Sequence, residues 1–131
     1  MKVNKILYAK KALPKELDYF KYKIVKIDDL QTLAGLSEFV HKKVTQSISD
    51  NGMMWPITVC KYENYWDDKI WIAGGKHTEF SQTKLGVTNG NQRVYYAKQN
   101  EYTHIHAIEV KSREERDKIN DVVYTNPYKY P

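Results

Sequence analysis

From Leu33 onward apolar residues recur every three or four positions, at Leu36, Val40, Val44 and Ile48, and the run stops at Asn51-Gly52. That spacing predicts an amphipathic helix with Ser37 as its N-cap, Leu33 stapling its start and Gly52 closing its end. On either side the period shortens to two. Lys21 to Leu30 sets Tyr22, Ile24, Val25 and Ile27 among lysines and ends in Asp28-Asp29, a strand running into a turn. Pro56 forces Trp55 into an extended conformation, and Ile57, Val59 and Tyr62 continue a strand whose opposite face carries Thr58 and Cys60. A further strand is expected from Lys69 to Ala73, between polar Asp67-Asp68 and the glycine turn Gly74-Gly75-Lys76-His77, with a short amphipathic piece after it. From Gly86 the pattern predicts an exposed turn with two glycines, a short helix carrying Arg93, Val94, Ala97 and Lys98, and a β-branched strand through Thr103, Ile105, Ala107, Ile108 and Val110. Ser112, with Glu114 and Glu115 in the first turn, starts a surface helix, and the tail YTNPYKYP is expected to be loose.

Composition narrows the class. The 131 residues, 41% hydrophobic and 28% charged, suit one soluble domain able to bury a core without staples. A single cysteine, Cys60, excludes an internal disulfide, no Cys/His spacing suggests zinc, and a reducing cytoplasm is the expected location. The apolar runs are too short for a membrane span, and the N-terminus lacks the apolar core of a signal peptide. The net charge of +5 is an N-terminal property: eight lysines stand against Glu16 and Asp18 up to Lys26, and the remainder is nearly balanced. Lys5, Lys10, Lys11 and Lys15, interleaved with Tyr8, Tyr19, Phe20 and Tyr22, form a candidate nucleic-acid contact, the lysines on the phosphates and the rings on the bases. The plain alternative is a lysine-coated, solvated face.

Gly90-Asn91-Gln92-Arg93 is the candidate chemical motif. Gly90 permits a sharp bend, and Asn91 and Gln92 place amide donors at a helix start. The first turn leaves backbone N–H groups unpaired at the positive end of the helix dipole, and Arg93 adds a planar fork suited to phosphate oxygens. The competing reading is a capped helix with a solvated arginine. A second glycine turn, IWIAGGKH, offers Lys76 and His77 either as an alternative phosphate turn, as extra phosphate contacts facing the first, or as a hairpin turn. His41, beside the apolar stripe of the first helix, reads as a packed or surface histidine, and Trp55, Trp66 and Trp71 read as core.

The order of these elements resembles the ParB/sulfiredoxin fold. Its members carry a helix, then G-x-x-x-P and a hydrophobic strand, then a G-x-x-R-x-x-A box that binds nucleotide phosphates. Gly52, Pro56, Ile57 and Val59 match the first segment, Gly90, Arg93 and Ala97 the second, and Tyr102 to Val110 the strand beyond. The resemblance implies an α+β single domain with a small mixed sheet flanked by helices, spanning residues 24–123, preceded by a basic arm (1–23) and followed by a tail (124–131). Asn91 occupies the position of the sulfiredoxin catalytic cysteine and Gln92 that of a usual histidine, so sulfinic acid reduction is not expected. About 30 residues, Lys61 to Thr88, stand as an insertion where ParB proteins have a short hairpin, and too little chain follows the last strand for a helix-turn-helix domain. Compact stand-alone versions with such a box resemble small phage-encoded proteins, which would place the chain in the cytoplasm of a host cell.

Three functions follow from the resemblance. The first is binding of ATP or CTP with Mg²⁺, with phosphoryl transfer or hydrolysis as in the serine-kinase members. That chemistry needs a carboxylate, for which Asp28, Asp29 and Glu38, and Asp67 and Asp68 in the insertion, are the candidates. The second is a ParB-like nuclease or nucleic-acid-binding protein that uses the basic arm on DNA or RNA. The third is a phage-encoded module that binds a host protein.

Overall fold

The computed structural model describes residues 3–33, 38–66, 70–71 and 77–124. Within them lie β1 (Ile6–Leu7), β2 (Lys23–Lys26), β3 (Leu30–Thr32), α1 (Glu38–Asn51), β4 (Ile57–Lys61), β5 (Ile70–Trp71), β6 (His77–Thr78), β7 (Leu85–Asn89), α2 (Asn91–Gln99), β8 (His104–Glu109) and α3 (Arg113–Tyr124). Strands β1, β8, β4, β7 and β3 succeed one another in a mixed sheet, and β2 also pairs with β8. The α+β architecture expected from the sequence is present.

The registers explain how β8 takes three partners. β2 runs antiparallel to it along His104–Ala107, whereas β1 is parallel at His104 and Ile105 and β4 parallel from Ala107 to Glu109. A strand has two edges, so β1 and β4 lie end to end along one of them and β2 takes the other. Ile105, Ala107 and Ile108 are consequently sealed from solvent.

Side chains alternate between two apolar layers. Val44 and Ile48 of α1 and Val94 and Ala97 of α2 pack with Ile57, Val59, Val87 and Ile105 on one face. Ile119 and Val123 of α3 cover the other with Leu17, Phe20, Trp55, Cys60, Phe80 and Ile108. The β4 alternation is therefore as expected, with Ile57 and Val59 turned to one layer and Cys60 to the other. The end of α1 also follows its sequence signal, the Gly52 N–H donating to Ile48 O at 2.8 Å. At α3, Glu115 N–H donates to Ser112 Oγ at 3.2 Å while the Glu115 carboxylate accepts from Lys111 N–H at 2.7 Å, a reciprocal cap.

Several expectations change. Lys21 to Leu30 is interrupted by a 3₁₀ turn at Ile27–Asp29, after which β3 departs to pair with β7. Gly86 does not open an exposed turn but lies inside β7, where a Cβ would stand 2.6 Å from both Leu33 Cδ1 and the Phe80 ring. Because β7 pairs with both β3 and β4, its residues Leu85 to Thr88, within the stretch expected as an insertion, belong to the sheet. The basic arm is built into the domain: β1 joins β8, Lys10 N–H and Lys11 N–H donate to Met53 O and Met54 O, and Leu17 is wholly buried. Of the strand expected over Lys69 to Ala73, Ile70 and Trp71 pair with Thr78 and His77 in a separate two-stranded ribbon. The cap residue Ser37, the turns at Asp67-Asp68 and Gly74-Gly75, and the tail beyond Tyr124 lie outside the described residues.

Candidate functional site: the turn between the last-but-one strand and its helix

Strands β3 and β7 run parallel and end side by side, Thr32 opposite Val87. Each then leads toward a helix, β3 toward α1, which begins at Glu38, and β7 through Gly90 into α2, which begins at Asn91. The Asn91 side chain ties the two exits together, its Oδ1 accepting the Leu33 N–H at 3.0 Å.

Gly90 is required by the bend. Its φ of 104° lies in the left-handed region, and a Cβ there would stand 2.5 Å from Ile57 Cγ2 and 3.0 Å from Arg93 Nε. The bend leaves the amides of Asn91 and Gln92 without a hydrogen-bond acceptor among the described residues, at the positive end of α2. The Gln92 side chain is also incompletely satisfied, since Oε1 is buried with no partner there. An orphan amide oxygen in such a position calls for a donor that the described residues do not supply.

Arg93 does not reach outward. It is 2% exposed, and its Nη1 donates to Trp55 O at 2.8 Å and Pro56 O at 3.1 Å. The guanidinium thus clamps the start of β4 to α2 from beneath the turn. Neither side of the sequence reading, phosphate fork or solvated cap, describes this placement. Ala97 on the same helix is fully buried, as a small residue on the sheet-facing side should be.

The carboxylate candidates separate by topology. Asp28 and Asp29 precede β3 and therefore stand at the end of the sheet opposite to Gly90, beyond the about 17 Å that the five steps from Leu85 to Gly90 span. Glu38 is the first residue of α1, the helix that follows β3. Asp67, Asp68 and Lys76 lie outside the described residues, and His77 is placed through its backbone pairing with Trp71. Among the described residues no three His, Cys, Asp or Glu side chains gather as a metal site.

The four N-terminal lysines have different surroundings. Lys5 Nζ donates to Asn100 O at 2.9 Å and lies 4.3 Å from the Tyr102 ring centroid, at the far end of α2. Lys15 is in a 3₁₀ turn. Lys10 and Lys11 line a groove.

Sequence reasoning missed Arg116. Taken as part of a solvated helix face, it instead donates to Thr88 O at 3.3 Å and to Asp117 at 2.7 Å and stacks over Trp66 at 5.1 Å. Nearby, Asn89 Nδ2 donates to Asn120 Oδ1 and the hydroxyls of Thr58 and Thr88 meet at 2.8 Å. These polar links fasten α3 to the last two residues of β7 and hold the turn from its second side. No spacing rule brings residue 116 to residue 88, because that contact exists only across the folded sheet.

No family model matches the sequence, and no curated protein resembles it at the sequence level. Solved structures do. A mutant of a free serine kinase in complex with AMP superposes with a TM-score of 0.52 at 13% identity, covering 82% of this chain and 37% of its own. Sulfiredoxin from Arabidopsis thaliana matches with a TM-score of 0.45 at 13% identity over 76% of this chain and 96% of its own. A ParB-N domain matches with a TM-score of 0.40 at 15% identity over 81% and 36%. The chain thus spans little more than a third of the serine kinase. The fold of this protein is ParB/sulfiredoxin-like.

Proposed function

We propose that the Gly90–Gln92 turn binds the phosphates of a nucleotide, ATP or CTP with Mg²⁺, and that the chain hydrolyses it or transfers its terminal phosphoryl group. One observation carries the reading: two consecutive amides without acceptors and a buried amide oxygen without a partner, among the described residues, meet at the start of a helix. An oxyanion satisfies the amides. The Gln92 oxygen needs a donor instead, which a ribose hydroxyl or a base amino group provides, so a nucleotide fits the turn better than a bare anion. Asn91 and Gln92 make the contacts, Gly90 gives the phosphates access to the backbone, and Arg93 acts as a positioning residue that holds the turn from within. Lys76 and His77 of the second glycine turn are further phosphate contacts in this reading. Glu38, the first residue of the helix that follows β3, is taken as the carboxylate with the catalytic or metal-holding role, ahead of Asp28 and Asp29, which precede β3. That a serine kinase with this fold is found in complex with AMP supports a nucleotide as the ligand.

Thermal-shift titration with ATP, CTP and AMP, with and without Mg²⁺, tests the reading. A nucleotide at a hundredfold its Kd stabilises the fold by about 2.7 kcal/mol, which is easily seen. Gln92→Ala should abolish the shift while leaving the unliganded melting temperature nearly unchanged, because the oxygen it removes is unpaired. The absence of a shift with every nucleotide would overturn the proposal.

A further inference from the structure

The residues preceding β2 surround a groove of about 330 Å³. Lys10, Lys11 and Lys21 line it, with Phe20 and Tyr22 giving an aromatic wall and Asp18 contributing the one carboxylate of the lining. Among the described residues the ammonium groups of Lys10 and Lys21 have no carboxylate partner. Lys11 lies 5.6 Å from the Trp55 ring centroid. Tyr8 and Tyr19, 54% and 53% exposed, adjoin lining residues in the chain. Three of the six exposed large hydrophobic residues among those described, Val3, Tyr8 and Tyr19, belong to this segment. Tyr19 rests against Phe20 at 4.3 Å with Lys118 Nζ 4.8 Å from its ring centroid, and Tyr8 meets His106 edge-on at 4.9 Å. Each nevertheless keeps about half of its surface in water, so two half-exposed rings beside lysines without a carboxylate partner among the described residues form a surface that a planar, anionic partner completes.

We propose that this groove binds single-stranded nucleic acid, with Lys10 and Lys21 on successive phosphates and Tyr8 and Tyr19 stacking unpaired bases. Charge complementarity selects a polyanion, and the exposed rings select a single strand, whose bases are free to stack. A duplex offers phosphates alone. None of the lining residues belongs to the Gly90 turn, and of the four lysines singled out in the sequence the groove is lined by Lys10 and Lys11 and by neither Lys5 nor Lys15.

Fluorescence anisotropy with a labelled oligothymidylate, against the matching duplex, tests the proposal on the full chain. Binding should favour the single strand and weaken linearly in logarithm with salt. Lys10→Gln/Lys21→Gln should lower that salt slope by about 1.4, roughly 0.7 for each phosphate deprived of its lysine. Tyr19→Ala should weaken binding about tenfold with the slope unchanged. Both variants alter exposed side chains, and circular dichroism melting checks that they fold. Equal affinity for the duplex, an unchanged slope in the lysine variant, or no binding at low salt would each overturn the proposal. Gln92→Ala should bind the oligonucleotide normally, so failure of this site and failure of the nucleotide site are separate results.

Discussion

The Gly90 turn and the N-terminal lysine segment use their cations in opposite ways. The turn carries Arg93 in a compact motif, and the fold takes that guanidinium inside, where it satisfies the carbonyls of Trp55 and Pro56. The N-terminal segment scatters its lysines without a motif, and the fold leaves Lys10 and Lys21 beside a groove without carboxylate partners among the described residues. Motif density therefore does not measure availability. A guanidinium fork fits two adjacent carbonyl oxygens as well as two phosphate oxygens, and its direction depends on which of them the fold brings near. In this chain Pro56 starts a central strand beneath α2 and brings the carbonyls.

The largest expected effect comes from removing the inward cation. Arg93→Ala would strip the Trp55 and Pro56 carbonyls of a charged donor in the core, leaving two buried acceptors unpaired. At about 1.5–3 kcal/mol for each hydrogen bond to a charged group, the loss in urea-unfolding free energy should be about 3 kcal/mol or more. Arg93→Lys should recover only part of it, since both bonds come from Nη1 and a lysine Nζ ends one bond short of that position. A variant as stable as the parent would show that the guanidinium is not structural and would return it to the ligand. This is why the nucleotide test rests on Gln92, whose loss does not endanger the fold.

Gly90→Ala should come next, at about 2 kcal/mol, because it combines a left-handed backbone with a Cβ placed 2.5 Å from Ile57 Cγ2. Its contribution to the comparison is specific. If the turn is the nucleotide cradle, the alanine variant should lose the ligand-induced thermal shift and keep its affinity for oligonucleotide; loss of both together would indicate general unfolding.

Much of the frame was legible. α1, β4 and β8 announce themselves because each buries one or both faces, and burial imposes the periods of 3.6 and 2 on the sequence. β1 and β3 have two and three residues and are too short to show a period. β7 was concealed for another reason: LGVTN includes a glycine and an asparagine, which read as turn residues until Leu33 and Phe80 are seen pressing on the Gly86 backbone. Of the candidate site, the bend at Gly90 and the helix after it were readable from local chemistry. The direction of Arg93, the approach of Arg116 to Thr88 and the separation of Asp28 and Asp29 from the turn depend on strand order, which no window of sequence encodes.

The smallest effect probes what holds the lysine segment in place. His106, on β8, accepts the Ala9 N–H through Nδ1 at 3.0 Å and meets Tyr8 edge-on at 4.9 Å and Tyr22 at 5.4 Å. That hydrogen bond requires Nδ1 to be unprotonated, and burial pushes the His106 pKa below its usual 6.5. As pH falls through about 6.5 the unfolded chain takes up this proton before the folded chain does, so the native state loses stability until the folded imidazole also titrates. Stability should therefore decline from about pH 7.5 toward pH 5, read as a falling urea midpoint, and His106→Gln should flatten the part of that decline due to this residue. Partial exposure of the ring moderates the change. Because the bond joins β8 to the residue just before Lys10, acidification should also lower the affinity of the groove for oligonucleotide before the domain unfolds, while Gly90, clamped from the other layer by Arg93, keeps its nucleotide shift. Simultaneous loss of both would mean that the two regions share one anchor, the Met53–Pro56 segment, which bonds to Lys10 and Lys11 at one end and to Arg93 at the other.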